Sequence, residues 1–78
     1  MEMGFLRVES YPTGAKIFID NVLVLDGTGM PGLTPAMLTL SVGYHDIKLE
    51  LGGYCNEYDG QYIMKETCVE IFHNFNIC

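Results

Sequence analysis

A chain of 78 residues carrying ten acidic and four basic side chains, net charge −6, has little cationic surface with which to displace counterions from phosphates, which excludes nucleic acid and anionic membranes as partners. At this length there is room for one domain, residues 1–78. Such a domain buries only about 60% of the surface its unfolded chain exposes and lies near the lower limit for folding unaided. Hydrophobic residues make up 49% of the sequence, enough for a packed core, and a module this small gains from cross-links or from packing against a larger assembly. The acidic balance stays compatible with a basic partner surface or a divalent cation. Met1 to Ser10 has no leader-like segment, and the longest apolar run, Val22 to Leu25, is far too short for membrane insertion.

Period-two patterning runs from end to end, with no amphipathic helix. Gly4 to Ser10 alternates, with Leu6 and Val8 on one face and Phe5, Arg7 and Glu9 on the other. Tyr11-Pro12-Thr13-Gly14 is a turn, Pro fixing φ and Gly allowing positive φ. Lys16 to Asp20 reads as a strand with Ile17 and Ile19 inward and Phe18 outward, followed by a turn at Asp20-Asn21 and a short strand at Val22 to Leu25. Asp26 to Pro35, with its glycines and prolines, is a loop. Ala36 to Leu40 resumes the alternation, Val42-Gly43 marks a tight connection, and Tyr44 to Leu51 is the clearest strand, with Ile47, Leu49 and Leu51 on one face. Gly52-Gly53 ends it. Tyr54 to Gly60 reads as turn-like and polar, Gln61 to Glu66 as a strand, and Thr67 to Ile77 as a closing strand with Val69, Ile71, Phe75 and Ile77 inward. Six or seven short strands with regular turn signals predict an all-β fold, a small antiparallel β-sandwich of immunoglobulin-like type.

These turn and strand residues resemble the PEGA domain family, a small β-sandwich module of microbial surface proteins, from Gly4 to about Ile77. "GFLRVES" is similar to the family's first strand, and "YPTGAKIFID" to its signature turn and second strand, with Pro12, Gly14 and Ala15 on the name-giving motif and Thr13 where Glu or Ser is common. "GLTP", Gly32 to Pro35, resembles a Gly-x-Thr-Pro loop; Leu40, Gly43 and His45 resemble a Leu-x-x-Gly-x-His strand entry; Gly53-Tyr54 resembles the Gly-Tyr that follows. Asn21 departs from the usual Gly, a swap Asn tolerates because it enters the left-handed region readily. The connections at Leu25 to Gly32 and Cys55 to Tyr62 are longer than the family pattern, and extended loops are where a partner-specific surface sits. The resemblance implies structural turns at Pro12, Gly14, Gly32, Pro35, Gly43 and Gly53, a structural His45, and no enzyme activity.

Cys55, Cys68 and Cys78 are odd in number and lack metal-ligand spacing, which leaves open one disulfide plus a free thiol, three free thiols, or a bridge to another chain through Cys78; free cysteines are the expectation. His73 falls in register with the inward residues of the last strand and reads as a satisfied, partly buried histidine rather than a ligand. Asp26-Gly27-Thr28-Gly29 has the look of a calcium-loop fragment but lacks further oxygen ligands, and turn chemistry accounts for it; Glu57 and Asp59 would join Asp26 at a cation only if their loops met. Ser10 and Ser41 lie in no nucleophile elbow, so no catalytic residue, cofactor or metal is expected.

The aromatics are the remaining signal. Phe18 and Phe72, counted as outward, and Tyr54, Tyr58 and Tyr62, crowded around the Cys55 segment, are the interface candidates, because exposed apolar patches mark contact surfaces. The expectation is a non-enzymatic structural module that docks on a larger protein assembly, foremost a virion component (capsid-decorating or tail-associated) on a virion or extracellular surface. The alternative is a cell-surface module binding carbohydrate or wall polymer by stacking on those tyrosines; a second copy of the chain is also a compatible partner.

Overall fold

The computed structural model describes residues 2–78 and holds seven strands: β1 Met3–Tyr11, β2 Lys16–Ile19, β3 Val22–Leu23, β4 Ala36–Ser41, β5 Gly43–Glu50, β6 Glu57–Ile63 and β7 Cys68–Asn74. They form a three-stranded sheet in the order β4-β1-β7 and a four-stranded sheet in the order β3-β2-β5-β6. Because successive side chains alternate between faces, each strand contributes one stripe to the space between the sheets. Leu6 and Val8 of β1, Ile17 and Ile19 of β2, Ile47 and Leu49 of β5, Ile63 of β6 and Ile71 of β7 meet there with Ala15 and Phe75.

Local chemistry sets the corners. The β2–β3 hairpin turns on two residues, Asp20 and Asn21, with φ of 51° and 67°, the left-handed pair that matches the twist of a two-residue hairpin. Between Ser41 and Gly43 the chain leaves the three-stranded sheet and enters the four-stranded one, and Gly43 takes the φ of 132° that this crossing requires. Gly4 lies where β1 passes the end of β6, and a Cβ there would collide with the Met64 carbonyl.

The all-β sandwich agrees with the sequence reading, with four local corrections. The β1·β7 ladder is parallel, so the sandwich is not wholly antiparallel. Residues 57–60, expected in a turn, are the first half of β6 and pair with β5 from Glu57↔Leu49 to Gly60↔Asp46; the polar composition that suggested a turn belongs to an edge strand. Ile77, expected inward, is 82% exposed, because β7 ends at Asn74 and the tail bridges to Tyr54 instead of continuing the sheet. Finally, Cys55 and Cys78 are disulfide-bonded and only Cys68 is free, so the expectation of free cysteines fails.

The disulfide pins the C-terminal tail across the β6/β7 side, beside the bond from the Cys55 N–H to the Asn76 carbonyl (2.8 Å) and the edge-to-face pair of Tyr54 and Phe75 (5.9 Å). It closes a loop with a sequence separation of 23, for which chain entropy gives about 3 kcal/mol, a large share of the stability of a domain this small. Reduction, or the pair Cys55→Ser and Cys78→Ser, is expected to lower the stability measured by urea denaturation by about that amount; an unchanged midpoint would mean that the tail packing alone holds this side.

Candidate interaction surfaces

The buried polar groups are spent on holding turns. Thr34, 4% exposed, is the hub of the first knot. Its Oγ1 accepts from the Ala15 N–H (3.0 Å) and its hydroxyl donates to Ser10 Oγ (2.6 Å), which in turn donates to the Pro12 carbonyl (2.9 Å). The Gly14 N–H donates to the Thr34 carbonyl and the Thr34 N–H to the Ala15 carbonyl, each at 3.0 Å, so the 12–15 turn and the 32–35 loop are laced together. Both contain a cis X-Pro bond, at Tyr11-Pro12 and Thr34-Pro35.

His45 holds the second knot. Its Nδ1 lies 2.6 Å from Asp20 Oδ2 and its Nε2 2.8 Å from the Ser41 carbonyl oxygen, while Asp20 Oδ1 accepts from the Asp46 N–H (2.9 Å). The Ser41 carbonyl, and after it the Asp20 carboxylate, raise the imidazole pKa above its ordinary 6.5 against a desolvation that lowers it. The Asp46 N–H, then His45, hold Asp20 below its ordinary 3.8. Ser41, His45 and Asp20 have the residue types of a nucleophilic triad, but the geometry opposes that role. Nε2 addresses the Ser41 carbonyl at 2.8 Å, with the Ser41 hydroxyl farther off at 3.3 Å, so its proton is donated and no lone pair faces the hydroxyl.

A third tie joins the sheets on the β6/β7 side. His73 of β7 lies between two carboxylates of β6, with Nδ1 at 3.2 Å from Glu57 Oε1 and Nε2 at 2.8 Å from Asp59 Oδ2; it is the satisfied, partly buried histidine its register implies. Glu57 and Asp59 do come together, but Asp26 does not join them. Asp26 Oδ1 accepts from the Thr28 N–H (2.8 Å), the Thr28 hydroxyl (2.6 Å) and the Met30 N–H (3.2 Å), all within its own loop, and these bonds, the Thr28 hydroxyl first, keep its pKa low. Among the described residues no group of three His, Cys, Asp or Glu side chains is arranged around a metal position.

The accessible surface also carries large apolar side chains. On the outer face of the four-stranded sheet, Tyr44 stands opposite Tyr62, and Tyr58 opposite Lys48. The three tyrosines are 60 to 70% exposed, and Tyr44 and Tyr58 flank a shallow groove of about 380 Å³ with Asn21, Asp46 and Gly60. Gly60 is what lets the Tyr44 ring lie diagonally across the edge strand, since any Cβ there would strike its phenol. Phe18 continues the Tyr58 row but is half-buried under the Lys48 ammonium, 4.2 Å from the ring centroid. The outer face of the three-stranded sheet carries a second groove, about 450 Å³, between Tyr11, Pro35 and Phe72. The interface candidates are therefore divided: Tyr58 and Tyr62 share a face, Phe18 borders it, Phe72 is on the opposite sheet, and Tyr54 is half-buried against Phe75. Phe18 and Phe72, both counted as outward, lie on different sheets and form no common patch. Tyr44, in the same outward parity as Asp46 and Lys48, completes the tyrosine face in place of Tyr54.

The family model described as PEGA domain matches residues 3–77. The chain belongs to the PEGA domain family. No curated protein and no solved structure matches it. The family motifs now have physical roles in this PEGA domain: the Pro12–Ala15 turn and the Gly32–Pro35 loop are two halves of the Thr34 knot, and His45 ties the β2–β3 hairpin to the sheet crossing.

The raised pKa of His45 makes its tie pH-dependent. A group whose folded pKa lies above its unfolded one contributes in full below the unfolded value, 6.5, and loses that contribution as pH rises through the folded value. Urea midpoints between about pH 6 and about pH 8.5 are expected to fall with rising pH in the native domain and to flatten in His45→Gln. The depressed Asp20 acts at the other end, its contribution being lost as pH falls below 3.8 through the folded value. A native slope equal to that of His45→Gln would assign the pH dependence elsewhere.

Proposed function

We propose that this PEGA domain is a non-catalytic docking module of a larger protein assembly on a virion or extracellular surface, with a capsid-decorating or tail-associated role as its specific form. One observation carries the reading: among the described residues, thirteen large hydrophobic side chains are exposed against ten hydrophobic residues buried in the core. Isolated exposed apolar groups are ordinary, but here they gather on the two sheet faces and along one side, and clustered apolar surface on a small domain marks contact with other macromolecules. The disulfide supports an oxidising setting. The polar constellations support it too, since each spends its hydrogen bonds on the fold.

A second reading, binding of a neutral polysaccharide, is favoured by one feature: Tyr44, Tyr58 and Tyr62 present their rings on a single sheet face, with Asn21 and Asp46 beside Tyr44 and Tyr58 as hydrogen-bonding groups at the border of an apolar platform.

The mass of the native particle separates docking from free existence. Light scattering on material from the natural source is expected to find the chain only in a large, regular assembly, and a freely diffusing monomer of 8.7 kDa would contradict the docking reading. Retention on immobilised polysaccharide that is lost in Tyr58→Ala and Tyr62→Ala would instead favour the second reading.

A further inference from the structure

The two sheets are unequal in width, and the shortfall is on one side. On the β6/β7 side the edges are joined by His73 with Glu57 and Asp59 and sealed by the C-terminal tail and its disulfide. On the other side β3 and the 24–33 segment stand across from β4, the edge strand of the narrower sheet. Between them runs an apolar groove in two adjoining parts, about 360 and 460 Å³, which share Val24, Met37 and Leu38. Its rim includes Val22, 68% exposed, and Leu33 and Met37, each about half exposed.

The backbone along this groove is open as well. The Val42 N–H donates to the Glu2 carbonyl (3.1 Å), and the antiparallel register continues inward from there through Gly4↔Leu40 and Leu6↔Leu38. Alternation in such a ladder makes these the hydrogen-bonded pairs and turns the N–H and C=O of Met37, Thr39 and Ser41 toward the far edge. The Ser41 carbonyl is taken by His45. The groups of Met37 and Thr39 face no strand. Asp26 is the one charged residue lining the groove, on a chain of net charge −6, so a second copy would bring like charge while a cationic end would be complementary.

We propose that the far edge of β4 takes an added strand from another protein of the assembly, an extended segment with alternate apolar side chains set into the groove and a basic residue at the Asp26 end. It would become the fourth strand of the narrower sheet, held by backbone hydrogen bonds to Met37 and Thr39 and by apolar contact with Val22, Val24 and Leu33.

The probe is a short synthetic peptide of alternating valine and threonine with a terminal lysine, titrated into the isotope-labelled full chain and followed by amide NMR shifts. The expected result is shifts centred on residues 37–40 and 22–33, with several-fold weaker binding when the lysine is replaced by glutamate. Thr39→Pro removes a far-edge N–H, leaves the β1-facing bonds of Leu38 and Leu40 in place, and is expected to weaken binding about tenfold. Val22→Lys, at an exposed rim position, is expected to weaken it to a similar extent without touching the core. No shift at Met37 and Thr39, shifts confined to the tyrosine face, or binding indifferent to both variants would overturn the proposal. The inference rests on the docking reading but fails separately from it: a native chain found in a large assembly while the peptide leaves β4 untouched overturns the groove alone, and a native monomer overturns the docking.

Discussion

The unequal width of the two sheets is the constraint on which the rest of the molecule depends. Three strands packed on four leave one side of the sandwich uncovered, and among the described residues no further strand or helix lies over that gap. One side is closed by covalent and polar means: a histidine between two carboxylates and a disulfide that straps the tail over the edge. The other keeps its apolar side chains and half of its β4 backbone groups accessible. The closed side thus completes the fold, and the open side is the surface on which the proposed docking rests.

The small core explains why so many polar groups serve the architecture. Ten buried hydrophobic residues among those described leave a modest surplus over chain entropy, so turns that a larger core could leave to packing are fastened individually. The Thr34 hub satisfies each buried hydroxyl and amide it touches, and among the described residues no buried side-chain nitrogen or oxygen is left without a partner. That economy also shapes the Ser41–His45–Asp20 row, where the imidazole nitrogens address a carboxylate and a carbonyl rather than the serine hydroxyl. The family motifs of a PEGA domain are, in this chain, the sequence record of those fastenings.

The strands with strict alternation were legible in the sequence, because a period of two with Ile, Leu and Val on one face admits one burial pattern; β1, β2 and β5 follow it residue for residue. The start of β6 was hidden, because Glu57, Asp59 and Gly60 have turn composition and their place in a strand comes from tertiary pairing with β5. Ile77 misled in the opposite sense: it continues the alternation of the inward row, but the strand ends at Asn74 and the side chain is exposed. The disulfide depends on a tail path that no local pattern encodes. Of the aromatic surface, Tyr58 and Tyr62 were visible and the parity of Tyr44 placed it outward, whereas its position opposite Tyr62 needed the β5–β6 register and the groove beside β4 needed the strand order of both sheets.

The central claim is that β4 is an unfinished edge that another protein completes. Amide hydrogen exchange, residue by residue, tests it most directly, on the isolated chain and on the same chain in its native assembly. In the isolated chain the Met37 and Thr39 amides are expected to exchange fast while their neighbours Leu38 and Leu40, bonded to β1, exchange slowly; in the assembly all four are expected to be slow. Equal protection of the four in the isolated chain, or fast exchange of Met37 and Thr39 that persists in the assembly, would contradict the account.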